Sequence, residues 1–221
     1  MLTRILIALA LLLTPAIFVA QTPAPPTAQP ATSGPPLIIL IGPPLSGKTT
    51  FVESITKNYG IPAISIEDLI KDNAAELDKL RGEGISMAEM RYDPAMSRYM
   101  NARLKAADLT HGIALDGYPA TLYQAQELAK LIPGLGLKPI AFQLDLPDDV
   151  VRDRAKKSGQ QSNRPEILDQ RIKDYHREMD TISLYYPNAK IVVVDGNRPE
   201  GEVWKSIQAG LDAAGIKPTG K

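Results

Sequence analysis

Residues 37–50 read Leu-Ile-Ile-Leu-Ile-Gly-Pro-Pro-Leu-Ser-Gly-Lys-Thr-Thr, and this run constrains the chain more than any other. Five apolar residues form a short strand of the kind buried on both faces of a parallel sheet. The loop that follows, Gly42, Pro43, Pro44, Leu45, Ser46, Gly47, Lys48, Thr49 and Thr50, has the Gly-x-x-x-x-Gly-Lys-Thr spacing that cradles phosphate. Its glycines permit tight bends, so successive N–H groups point at phosphate oxygens. Lys48 adds a point charge, Thr49 a hydroxyl for Mg²⁺, and the helix starting near Lys48 directs its positive end to the same place. That helix is amphipathic, with Phe51, Val52, Ile55 and Tyr59 on one face, Gly60 as a stop and Pro62 beyond it.

The sequence before this run has a different character. Residues 1–20 carry one charge, Arg4, and an apolar stretch from Ile5 to Ala20 broken only by Thr14 and Pro15. This pattern predicts a secretory signal peptide, with an uncleaved N-terminal anchor as the alternative. Residues 21–36 hold six prolines in sixteen positions and no charge, as expected of an extended linker. The expected location is periplasmic or extracellular, or membrane-anchored through residues 5–20. The absence of Cys excludes disulfides and a lipidated N-terminal cysteine.

Residues 37–215 have the length of one domain, followed by a tail over 216–221. Setting Arg4 aside leaves 24 basic against 25 acidic residues, a net charge of −1. That balance argues against bulk electrostatic binding to nucleic acid or anionic lipid. Strand-like runs at 37–41, 63–66, 112–115, 140–144 and 191–194 alternate with helical patterns at 67–80, 94–109, 122–131, 147–157, 165–184 and 203–213. Such alternation predicts an α/β fold, a doubly wound five-stranded parallel sheet with helices on both faces. Its ligands would lie at the C-terminal ends of the strands.

Asp116 follows the third strand directly, and beside a phosphate loop such an Asp is expected in the second ligand shell of Mg²⁺, holding the metal through water. Basic residues gather in the last third, among them Arg152, Arg154, Lys156, Arg164 and Arg171. Arg164 and Arg171 lie two helical turns apart and share a face. Positive groups that close on a transferred phosphoryl group are what such chemistry needs. Arg152 and Lys156 read as a solvated face. The polar stretch 157–163 reads as part of a short lid over about 155–165. His111 and His176 lack metal-ligand neighbours, and Trp204 reads as core.

These motifs in this order resemble the adenylate kinase group of nucleoside monophosphate kinases, over nearly the whole domain. Beside the phosphate loop, Ile64-Ser65-Ile66-Glu67-Asp68 is similar to the family's second-strand signature. Asp116-Gly117-Tyr118-Pro119-Ala120 is similar to its Asp-Gly-Phe-Pro-Arg motif, and Val194-Asp195-Gly196-Asn197 to the loop beside the donor base. The resemblance implies that Gln124 reads the acceptor base, and that Arg154, the lid's Arg164 and Arg171 close over the phosphates. It also implies ATP, Mg²⁺ and a nucleoside monophosphate as ligands, with AMP the first acceptor to expect and a monomer the expected state.

The chain also departs from that pattern. Leu45 replaces a family glycine, and Thr49 stands where glycine is usual. Ala120 and Lys71 replace the two arginines that hold the acceptor phosphate, and Lys is only a point charge where arginine offers a fork. Ile66 and Glu67 stand where small residues are expected near the acceptor sugar. Donor-side features are kept and acceptor-side features are eroded. The expectation is therefore ATP-dependent phosphoryl transfer, with Lys71 partly replacing the lost arginines. The alternatives are a nucleotide-binding module with weak or no kinase activity and a kinase for a small non-nucleotide acceptor.

Overall fold

The computed structural model describes residues 34–81, 90–159, 164–185 and 190–220. The expected leader (residues 1–20), nearly all of the linker and the centre of the expected lid lie outside the described residues. No helix among the described residues is long and apolar enough to cross a membrane.

Five strands, β1 (Pro36–Ile41), β2 (Ala63–Ser65), β3 (Ile113–Asp116), β4 (Lys138–Asp145) and β5 (Lys190–Asp195), form one parallel sheet in the order β2-β3-β1-β4-β5. The central strand explains why both faces are covered. Leu37, Ile39 and Ile41 point into one apolar cluster, and Ile38 and Leu40 into another on the opposite face. Strand side chains alternate, so a strand apolar at every position needs helices on both sides.

On the first face lie α2 (Ile66–Asp72), α4 (Ala95–Ala106), α5 (Leu122–Leu135) and part of α7 (Pro165–Tyr185), contributing Leu69, Met96, Met100, Leu128 and Met179. Leu77 of α3 (Ala74–Arg81) joins the same cluster. On the second face lie α1 (Lys48–Tyr59) and α8 (Glu200–Ala213), through Phe51, Ile55, Val203 and Ile207. A smaller cluster joins α6 (Asp148–Ser158) to α7 through Val151, Ala155, Leu168 and Ile172. Trp204 packs beside this second core and meets Tyr59 edge to face.

Several boundaries differ from the sequence pattern by one to four residues, and three of the differences have a local cause or bear on the site. The helix expected over 67–80 is two helices, because Asn73 leaves helical geometry at φ −110° and its Nδ2 donates to the Leu69 carbonyl. An Asn amide competes in this way with helix continuation. The helix expected to end at 131 runs to Leu135 through Pro133 and stops at Gly136, which is left-handed at φ 64°. A proline in the last turn removes one helical hydrogen bond and leaves the earlier turns intact. Finally, β3 ends on Asp116 itself.

Register sets what the sheet presents at its C-terminal edge. Leu40 pairs with Asp116, and Asp116 with Ser65, so the phosphate loop, the β3 carboxylate and the start of α2 stand side by side. Ser65 caps α2 by accepting the Asp68 N–H at 3.0 Å.

Candidate active site

The loop after β1 takes the form its residues permit. Gly47 sits at φ 89° and opens α1. A Cβ on Gly42 would come 2.7 Å from Ser46 Oγ, so only glycine lets the loop fold this tightly. Leu45 is the one non-glycine with positive φ among the described residues, at 61°. It occupies the position where the sequence departs from the family glycine, so the backbone keeps a glycine-like conformation under a leucine side chain. Such a residue carries on the order of 1–2 kcal/mol of backbone strain.

Lys48 bends back over the loop. Its Nζ donates to the carbonyls of Gly42 (2.7 Å) and Pro43 (2.8 Å) and to Ser46 Oγ (3.2 Å). Burial pushes the Lys48 ammonium down to about 8, opposed by the charge of Asp116 and reinforced by Arg91 and Arg171. An anion in the loop would offset that burial, because an opposite charge favours the charged form.

Across the strand ends, Thr49 Oγ1 donates to Asp116 Oδ2 at 2.7 Å. Asp116 is 5% exposed. Burial raises its carboxyl above the usual range, against the Thr49 hydrogen bond, which lowers it. A hydroxyl and a buried carboxylate side by side are hard oxygen donors, and the carboxylate is short of positive charge. That donor set fits Mg²⁺, which takes one or two protein oxygens and completes its shell with water and substrate phosphate. No group of three or more His, Cys, Asp or Glu side chains placed to hold a metal occurs among the described residues.

A cleft opens between the loop and α7. Lys48, Arg91 and Arg171 reach it from three separate parts of the chain, and Gly117, Pro119 and Ala120 form part of its wall. Arg171 is itself held below the usual arginine range, first by burial and then by the nearby Arg91 charge. Three cations against the one carboxylate of the lining, Glu178, leave this partly buried cleft with an excess of positive charge, which suits it to a polyanion.

The other sequence-derived residues take different places. Arg154 bridges two loops, with Nη1 donating to the Leu45 carbonyl at 3.0 Å and Nη2 to the Gly196 carbonyl at 2.8 Å. Arg164 is exposed at the start of α7, beside the expected lid. Lys71 is exposed in the last turn of α2 and does not line the cleft. Gln124 is fully buried. Its Oε1 accepts the Ala120 N–H at 2.7 Å, and its Nε2 donates to the carbonyls of Arg91 (2.8 Å) and Asp93 (3.4 Å). It therefore staples the 116–121 turn to the segment carrying Arg91. Tyr118, followed by a cis bond to Pro119, is buried on the same turn, and its hydroxyl lies 3.3 Å from both Ser97 Oγ and the Gln124 carbonyl. Burial pushes it up to about 12. His176 pairs with Asp148 at the surface.

Arg91 is the cleft residue that sequence reasoning missed. Nothing in Met-Arg-Tyr-Asp-Pro marks it locally. The available signal was indirect: with Ala120 in place of arginine, another arginine should be sought for the same cleft.

A parallel sheet with this loop on its central strand, a hydroxyl–carboxylate pair for a divalent cation and a cationic cleft define a P-loop phosphotransferase. The family model described as adenylate kinase matches residues 40–191. The adenylate kinases of Brucella ovis, Brucella canis and Brucella suis are each 30% identical to the chain over 186 residues, covering 77% of this chain and 96% of theirs. The chain belongs to the adenylate kinase family, and its chemistry is nucleotide phosphotransfer.

Proposed function

We propose that the protein transfers the γ-phosphoryl group of ATP to a nucleoside monophosphate, with AMP as the preferred acceptor. The observation that carries this reading is the convergence of Lys48, Arg91 and Arg171 on one cleft beside the phosphate loop. A triphosphate and a monophosphate meeting there need such charge, because phosphoryl transfer is catalysed mainly by positioning and electrostatic stabilisation.

In this reading the backbone N–H groups of residues 42–49 and Lys48 hold the β- and γ-phosphates. Thr49 and Asp116 hold Mg²⁺, which when bound neutralises charge on the phosphate oxygens. An acceptor phosphate oxygen forms the new bond to the γ-phosphorus as the bond to the β-phosphate bridging oxygen breaks, releasing ADP. The acceptor is already an anion, so no general base is required. Arg171 faces the transferred group, Arg154 keeps the loop in shape through Leu45 and Gly196, and Arg164 closes with the lid. Gln124 fixes the wall against which the acceptor base lies.

We also propose export, with residues 1–20 as a cleaved leader and 21–36 as the extended linker that precedes the domain. The apolar stretch of residues 5–20 and the proline-rich segment support it. An N-terminal sequence beginning near Gln21 on protein recovered from the producing cell is the expected result, and an N terminus at Met1 would contradict cleavage and favour the anchor.

The function is tested with ATP, Mg²⁺ and a panel of AMP, GMP, CMP and UMP. ADP formation with AMP at the highest kcat/KM is expected. Inactivity with every nucleoside monophosphate, despite ATP binding, would instead favour the binding-module reading, to which Ala120 and Lys71 lend weight.

A further inference from the structure

Two departures from the family pattern meet in space. Ala120 carries no guanidinium, and Glu67 places a carboxylate where a small residue is expected. In the fold, Arg91 Nη2 donates to Glu67 Oε1 at 2.6 Å. Arg91 faces the same cleft as Ala120, Lys48 and Arg171.

The guanidinium is only partly satisfied. Arg91 Nε is buried and has no hydrogen-bond partner. Nε and Nη2 form one edge of the guanidinium fork, which grips a carboxylate or phosphate through two parallel bonds. Glu67 takes one of those donors, and the other is left open. A buried donor without an acceptor is costly, and a phosphate oxygen would remove that cost.

The two partners are also held differently. The Arg91 carbonyl is fixed by the amide of fully buried Gln124 at 2.8 Å. The Glu67 side chain is 58% exposed and has room to turn into solvent, while that of Arg91 is 24% exposed.

We propose that Arg91 is the acceptor-phosphate arginine of this chain, standing in for the one missing at Ala120, with Glu67 as its resting counter-ion. The acceptor phosphate takes the Nε–Nη2 edge, and Glu67 gives up Nη2. This rests on the nucleoside monophosphate acceptor proposed above. Glu67 thus competes directly with the acceptor for Arg91, while it reaches the ATP side only through its field at Lys48 and Asp116.

The test is AMP and ATP binding to the full chain by titration calorimetry, with initial rates alongside. Arg91→Ala is expected to weaken AMP about tenfold or more while ATP changes far less, the size expected for lost charge-assisted hydrogen bonds. Arg91→Lys should fall between. Glu67→Gln should tighten AMP about two- to fivefold, the scale of an exposed ion pair. Adding Ala120→Arg to Arg91→Ala should restore AMP binding. The proposal is overturned if Arg91→Ala leaves AMP unchanged or weakens ATP equally, if Glu67→Gln weakens AMP, or if wild type binds no AMP. Should Arg91→Ala fail to fold, Arg91→Lys and Glu67→Gln decide it by their opposite signs. Wild type that binds AMP through Arg91 yet forms no ADP would sink the kinase reading and leave this one standing. Normal turnover with an AMP KM indifferent to Arg91 would do the reverse.

Discussion

Thr49 Oγ1 and Asp116 Oδ2 stand 2.7 Å apart, joining the first turn of α1 to the last residue of β3 across 67 positions of sequence. The register between β1 and β3 places Asp116 opposite Leu40, two residues before the loop begins. The sheet itself therefore sets the pair's spacing, before any ligand binds. Asp116→Asn keeps the shape and removes the charge. ADP formation is expected to fall about 10–100-fold and to need more Mg²⁺, the scale seen when metal-supporting groups are lost. The melting temperature should hold or rise, because a buried carboxylate short of positive charge is no longer required. A variant with a clearly lowered melting temperature and an unchanged Mg²⁺ dependence of ADP formation would show the pair to be structural.

Arg154 joins the carbonyls of Leu45 and Gly196, so it connects the phosphate loop to the turn after β5. Arg154→Ala should destabilise the fold by about 2 kcal/mol, through loss of two charge-assisted bonds. It should also raise the KM for ATP more than the KM for AMP. Lysine should rescue poorly, having no fork to span two carbonyls. Thermal melts with both KM values check this.

Leu45 holds a left-handed backbone at φ 61°. A β-branched side chain tolerates that region worse than leucine does. Leu45→Val is therefore expected to lower stability by about 1 kcal/mol or more, beyond the loss of packing against the α6–α7 cluster. Leu45→Ala, measured by denaturant melts in parallel, separates the packing loss from the strain.

Gln124 holds three backbone groups with one buried amide. Gln124→Ala strands the Ala120 N–H and the Arg91 carbonyl, which should destabilise by about 2–3 kcal/mol. Because the staple carries Arg91, the AMP KM should rise with it while the ATP KM moves little. Equal changes in both KM values would place the effect elsewhere.

Much of this architecture was legible in the residues. A strand apolar at every position, Leu37 to Ile41, demands helices on both faces, and α1 and α8 on one side with α2, α4 and α5 on the other supply them. The place of Asp116 at a buried strand end was readable because it closes a short apolar run, and the fold sets it beside Thr49. Local breaks were less visible. Asn73 splits a continuous amphipathic pattern through a single side-chain bond, and Pro133 sits inside a helix that tertiary packing sustains. Arg91 was hidden because its meaning is entirely relational, depending on Glu67, 24 residues earlier, and Gln124, 33 later. Lys71 shows the converse, since its sequence position suggested the cleft and its helix turns it to solvent.

The central claim is phosphoryl transfer from ATP to AMP in a site organised by Lys48. The most direct measurement is ADP formation by purified protein given ATP, AMP and Mg²⁺, beside Lys48→Ala under the same conditions. The account requires AMP-dependent ADP formation by the wild type that Lys48→Ala abolishes. A wild type that binds ATP but forms no ADP from AMP, or a Lys48→Ala protein of undiminished activity, would contradict it.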